Sequence, residues 1–191
     1  MVRYAPNQAA KTRSALVSAA TRLMLEQGLD GPSVADIMKS LGLTHGGFYA
    51  HFKDRSSLVE AAISEAIGHS PENFAFLLKL AEKQQTPIVI ADAYLSDSRV
   101  VNLAESCPAA AFAGELHRQP ENVRRAFSEG AERTSEVLGA IMPGHEEMTD
   151  RGWGGLALLV GALILMRSTS DQALRKRIRE RVRKDFTKLT K

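Results

Sequence analysis

The sequence predicts an all-α fold, and three observations carry that expectation. Apolar residues recur at helical spacing along most of the 191 residues, and no segment alternates over enough positions to make a strand. Prolines follow small polar residues at places where helices open. Residues 12–58 also read as a long helix followed by two short ones joined by a tight glycine turn.

The elements can be taken in order. Leu16, Ala20, Leu23 and Met24 fall on one face of the first helix. Gly28 ends it, as a residue tolerant of positive φ does at a helix C-terminus. Ser33 stands where an N-cap belongs, with Asp36 three residues on, and Val34, Ile37, Met38 and Leu41 repeat the helical spacing. Gly42 allows the turn, and Thr44 is expected to cap the next helix. Phe48 and Phe52 point inward there, leaving His45, Gly46, Tyr49 and Lys53 outside. A helix that begins Thr-His-Gly-Gly is a poor helix former, wasteful if packing were its only purpose. Its glycines let backbone approach a phosphate or a base edge, and a helix N-terminus favours an anion. The arrangement is that of a small domain presenting one helix to the major groove of DNA.

Proline placement organises the rest. Ser70-Pro71, Thr86-Pro87, Cys107-Pro108 and Gln119-Pro120 each read as a cap followed by Pro at the first helical position. Helices are expected near 56–67, 71–84, 87–96, 108–118, 120–142, 150–169 and 172–189. Gly68-His-Ser-Pro71 reads as a surface loop, with a hinge that passes ligand occupancy to the DNA-binding part as the other reading. The 150–169 helix is apolar nearly all round, which implies burial on most sides. Leu174, Ile178, Val182, Phe186 and Leu189 form a stripe on the last helix.

Composition bounds the function class. With 44% apolar residues and 25% charged, the chain is an ordinary soluble protein of one or two domains. Residues 1–60 carry 7 basic and 5 acidic side chains, residues 61–166 carry 8 and 14, and residues 167–191 carry 10 and 3. An acidic centre between basic ends suits a protein that meets DNA with part of its surface. The basic run Arg175 to Lys184 is most simply a solvated helix face, with DNA or acidic lipid as alternatives. No targeting segment is visible, and the uncharged stretch Gly152 to Met166 falls short of the ~20 residues of a membrane span. The single cysteine fits a reducing compartment, so the expected location is cytoplasmic, with no membrane. The five histidines are scattered, and no phosphate loop or nucleophile elbow appears, so no catalytic residue, metal or cofactor is indicated.

The segment resembles the N-terminal DNA-binding domain of the TetR family of transcriptional regulators. Arg13, Ala20, Leu23, Gly28 and Ser33 match the family's first helix and the start of its second. Gly42, Leu43, Thr44, Gly46, Tyr49 and Phe52 match the following turn and short helix in order. Gly47 departs where the family often has a hydroxyl residue, Arg55 replaces a usual Lys, and Met38 replaces a usual Ala. The resemblance implies a helix-turn-helix domain over 1–55 and a helical effector-binding and dimerisation domain over 56–191. It implies a ligand-responsive repressor, a homodimer on a palindromic operator, released by a small-molecule effector. Thr44, Tyr49, His51 and Lys53 become phosphate-contact candidates, His45, Gly46 and Gly47 those nearest the base edges, and Arg13 and Ser33 further DNA-binding candidates. Arg3, in a short irregular arm, reads as part of an idle tail, with reach into a neighbouring groove as the other reading.

By the same resemblance the last two helices are expected to form the dimer interface, through Gly154, Leu158, Gly161, Leu174, Ile178, Val182 and Phe186, with completion of the chain's own core as the other reading. The apolar candidates for an effector pocket are Phe74, Leu77, Leu78, Tyr94, Phe112, Leu116, Phe127, Trp153 and Met166, with Glu115, His117 and Tyr94 as polar contacts. Cys107 precedes Pro108 at a helix N-terminus, where negative charge is favoured, and is the candidate for a redox- or electrophile-sensing thiol; an inert, partly buried thiol is the plainer reading. A helical adaptor that does not bind DNA and a small helical enzyme are the remaining alternatives.

Overall fold

A computed structural model of the chain describes residues 6–84 and 87–191, with side-chain environments from residue 8 onward outside the 85–86 gap. Arg3 and Thr86 lie outside the described residues. The described elements are all helical, as the sequence predicts: α1 (Pro6–Gln27), α2 (Val34–Ser40), a 3₁₀ helix (His45–Ala50), α3 (Arg55–Gly68), α4 (Ser70–Gln84), α5 (Ile88–Tyr94), α6 (Asp97–Val101), α7 (Pro108–Leu116), α8 (Glu121–Gly139), α9 (Met148–Arg167) and α10 (Gln172–Leu189).

The N-terminal helices close on one apolar centre. Leu16, Ala20 and Met24 of α1 meet Ile37 and Met38 of α2, Phe48 and Phe52, and Leu58 and Ile63 of α3, all nearly free of solvent contact. Met38 fits this core at 1% exposure, so its replacement of a smaller residue is accommodated by packing. Helix α3 also packs along α8, and through it the N-terminal part is seated on the rest of the molecule. At that seam a Cβ on Gly130 would lie 2.3 Å from Ile67, so only glycine lets α8 approach α3 this closely.

The C-terminal part is built on the antiparallel pair α8 and α9. A Cβ on Gly152 would lie 1.7 Å from the Ser135 carbonyl, which sets how tightly the pair can close. Helix α9 is long and apolar enough to cross a membrane by length and composition. Its Leu159, Leu163 and Met166 are nevertheless buried among the other helices.

Several expectations need correction. The α9 helix is not buried on most sides: Trp153, Ile164 and Leu165 are exposed, Leu165 at 60%. The loop expected at Gly68–Pro71 is a single residue, His69, between α3 and α4. Pro71 lies in the first turn of α4, where a backbone donor would have no helical partner, so it opens that helix at no cost. Pro87 and Pro120 are themselves the N-caps of α5 and α8 rather than their first residues. Five-residue α6 was not expected. Helix α8 ends at Gly139, three residues short of the expected 142.

The basic run on α10 is only partly a solvated face. Arg175, Arg179 and Arg183 recur every four residues and turn inward. Arg175 Nε donates to the Met166 and Thr169 carbonyls at 2.9 Å each, Arg179 Nε to the Leu95 carbonyl at 2.8 Å, and Arg183 pairs with Asp92.

Candidate nucleic-acid interface and effector cavities

The reading head is held by two capped helices and one arginine. The Ser33 hydroxyl accepts from the Asp36 N–H at 3.1 Å, while the Asp36 carboxylate accepts from the Ser33 N–H at 3.0 Å. Hydrogen bonds from Ser33 hold the Asp36 carboxyl below its ordinary pKa. Asp54 and Ser57 repeat the reciprocal cap at the start of α3, and Ser57 lowers the Asp54 carboxyl likewise. Arg55 donates to the Leu29 and Pro32 carbonyls, stapling the α1–α2 loop to α3.

Between these caps the His45–Ala50 helix lies on the surface. It is a 3₁₀ helix rather than an α-helix, consistent with two glycines in its first turn. Phe48 is buried and stacks on Phe52 with centroids 5.7 Å apart, which turns the opposite side outward. Tyr49 stands 65% exposed, edge-on to Phe48. A Cβ on Gly46 would meet open space, so packing does not require glycine there. Gly42 does need glycine, since its φ of +68° is a left-handed turn.

The predicted DNA-side residues separate into two groups. Thr44, His45, Gly46, Tyr49 and Lys53 are exposed along one face, with Gly47 and His51 half-buried beside them. Ser33 is committed to its cap. The Arg13 guanidinium rests 4.6 Å above the Phe52 ring at the edge of that face. Thr44 occupies the N-cap position but makes no side-chain cap bond, contrary to expectation, so its hydroxyl is unengaged by the helix.

The predicted effector residues do not form one pocket. Phe74 and Tyr94 stack at 5.5 Å and line a cavity of about 330 Å³ with Leu77, Arg99, Ser106 and Cys107. Phe127 and Trp153 line a separate, more open apolar cavity of about 270 Å³ with Ala109 and Leu156. Phe112, Leu116 and Met166 are core residues and line neither, and half-buried Leu78 also lies outside both. Glu115 binds the backbone of Leu29 instead of a pocket, and His117 is exposed beside Arg118.

Cys107 is the N-cap residue of α7, with Pro108 following as predicted, but its side chain makes no cap bond. It is 5% exposed and faces Tyr94. Burial first, then the neighbouring thiol, push the Tyr94 phenol well above its ordinary pKa, against the influence of Arg99 and Arg167.

The predicted dimer residues also divide. Gly154 and Leu174 are exposed, and Leu158, Gly161 and Ile178 are half-buried on the outer side of α9 and α10. Val182 and Phe186 are enclosed at 8% and 0% exposure within the chain's own core, so they offer a second copy almost no surface.

Residues 16–62 match the family described as bacterial regulatory proteins, tetR family. The match runs from Leu16 in α1 to Ala62 in α3, so the segment that carries the reading head is a TetR-type DNA-binding domain. Over 58 residues it is 40% identical to the HTH-type transcriptional regulator AcrR of Shigella flexneri, an alignment that spans 30% of this chain and 27% of that protein. Against the HTH-type transcriptional repressor BepR of Brucella suis the identity is 25% over 156 residues, covering 82% of this chain and 66% of the relative. The fold is shared over nearly the whole chain: the reduced form of Escherichia coli NemR superposes with a TM-score of 0.77 at 16% identity, covering 95% of this chain and 98% of that one, and a TetR-family transcriptional regulator of Cytophaga hutchinsonii with a TM-score of 0.76 at 17% identity, covering 99% and 98%.

Two residues named from the sequence carry a structural role that the sequence did not reveal. Arg55 and Glu115 both grip the α1–α2 loop, and a charged residue at the start or end of a helix was the only signal either gave.

Proposed function

We propose that this protein is a ligand-responsive transcriptional repressor of the TetR family. As a cytoplasmic homodimer it binds a palindromic operator through the Thr44–Lys53 face, and a small-molecule effector among the C-terminal helices releases it. The observation that supports this reading best is the surface placement of the His45–Ala50 helix, anchored by buried Phe48 while Tyr49 stands free. The outer side of α9 is the dimer face, and two copies would present their reading heads to half-sites about 34–36 Å apart. The domains meet at the start of α3, near residue 55. Fluorescence polarisation on duplex DNA from upstream of the protein's own gene tests the reading. Binding should saturate and weaken steeply with salt. Undiminished affinity in a Tyr49→Ala, Lys53→Ala double variant would overturn the docking face.

A second reading is favoured by one observation: Cys107 lines the same cavity as Tyr94 and Arg99. In it the thiol is the input, modified by an oxidant or electrophile. DNA release by peroxide or quinone that is undiminished in Cys107→Ser would dispose of it.

A further inference from the structure

The cavity between α4, α6 and the start of α7 contains polar groups with nothing to bind. Tyr94 and Ser106 are 1% and 7% exposed and both line the cavity; the Ser106 hydroxyl has no hydrogen-bond partner, and the Tyr94 phenol has only the weakly bonding Cys107 thiol beside it. Buried hydroxyls left unpaired or weakly paired are costly, so a site that keeps two of them is built for an occupant. The charge around them has one sign on the inner side. The Arg99 guanidinium sits 5.8 Å over the Tyr94 ring, and Arg167 lies close enough for both cations to act on the Tyr94 phenol. Arg167 donates to the Arg99 carbonyl at 2.7 Å, and its buried Nε is unpaired. Neither arginine has an ion-pair partner among the described residues. Glu105, the acidic residue of the lining, is exposed at the rim. Phe74 and Leu77 supply an apolar wall.

We propose that this cavity is the effector site and that its ligand is a small organic carboxylate carrying one ring or a short alkyl chain. Its role as an effector rests on the repressor reading; the binding chemistry does not. Tyr94 and Ser106 donate to the carboxylate, Arg99 supplies the balancing charge, and Phe74 and Leu77 take the apolar body. Charge-assisted bonds of this kind are about twice as strong as neutral ones, so the acid is preferred over any neutral isostere. At about 330 Å³ the cavity stands at the small end of the ~300–1,000 Å³ typical of ligand sites, which excludes large polycyclic compounds. The site also adjoins Cys107 and Pro108, where α7 begins, and the far end of α7 carries Glu115 to the reading head. A ligand that shifts α7 is therefore felt at the α1–α2 loop.

The test is calorimetric titration of the full chain with benzoate and hexanoate, each beside its primary amide. At least one acid should bind about tenfold or more tightly than its amide, and Arg99→Gln or Ser106→Ala should remove most of that preference. Trp153→Ala, in the other cavity, should leave it intact. Equal binding of acid and amide, no binding of either acid, or an unchanged preference in a folded Arg99→Gln variant would overturn the assignment. Operator binding measured in parallel separates the two readings. A chain that binds DNA but prefers no acid loses the carboxylate site alone, and one that prefers the acid but binds no DNA loses the repressor reading alone.

Discussion

Glu115 Oε2 accepts a hydrogen bond from the backbone N–H of Leu29 at 2.9 Å, across 86 residues of sequence. The bond ties the last turn of α7 to the loop that leads into the reading head. Gly28 makes it possible: its φ is +86°, and a Cβ there would lie 3.0 Å from the Glu115 carboxylate. Leu29 is fully buried, so its amide has no ready replacement partner in water. Glu115→Ala should cost about 1–3 kcal/mol, the penalty for stranding a buried donor, read as a lower urea midpoint at unchanged slope. Glu115→Gln keeps an acceptor oxygen and should recover most of that loss. If the alanine variant is as stable as the parent, the bond is not part of the domain junction.

Gly42 and Gly46 should separate folding from recognition, although they are only four residues apart. Gly42→Ala forces a side chain into a left-handed conformation and should destabilise by about 1–2 kcal/mol. Gly46→Ala meets open space, so thermal stability should hold while operator affinity falls because the added methyl stands at the docking face. Circular-dichroism melts beside polarisation titrations measure both. A Gly46→Ala variant with full affinity would remove that position from the interface.

How much of this was legible beforehand depended on range. The Leu16–Met24 face, the Ser33–Asp36 cap and the Cys107-Pro108 opening are each written within a few neighbouring residues, and each could be read. Five-residue α6 is too short for a helical period to register. Ser70-Pro71 looked like an interruption because proline excludes helix interiors, yet the first turn of a new helix tolerates it. Val182 and Phe186 lie on a stripe that periodicity marks as apolar without saying whether the chain's own α9 or a second copy covers it. The grouping of Tyr94 with Ser106, Cys107 and Arg99, and the split of Phe127 and Trp153 into another cavity, arise from packing of distant helices and leave no local pattern.

The reciprocal caps of the reading head carry a pH signature. Asp36 and Asp54 both have carboxyls held below the ordinary 3.8 by hydrogen bonds that exist only when the chain is folded. A depressed folded pKa contributes stability that is present above the unfolded value and lost as pH falls through the folded one. The contribution should therefore be constant down to about pH 4 and decline below it. Ser33→Ala removes one cap, costs about 1 kcal/mol at neutral pH, and should flatten that acid limb. Melting temperatures between pH 6 and pH 2.5 for the parent and the variant provide the comparison. Parallel curves would show that the Ser33 cap does not hold the carboxylate.

The outer side of α9 supplies the last prediction. Leu165 is 60% exposed, with Ile164 and Trp153 also open to solvent on the same helix. Large apolar side chains this open to solvent suit a contact with another protein surface, which is the dimer face proposed above. A two-fold pairing brings the same residues of both copies together, so one substitution acts twice. Leu165→Glu should leave the fold of a single chain intact, since the side chain touches little of its own core. It should shift sedimentation from dimer towards monomer. Operator affinity should fall with it, because two heads on one particle bind at high effective concentration and separate heads do not. Phe186→Ala provides the contrast: that ring is fully enclosed beside Gly155, and its loss should cost about 3–5 kcal/mol of folding stability through a cavity. A Leu165→Glu protein that sediments as a dimer and binds operator as tightly as the parent would place the interface elsewhere.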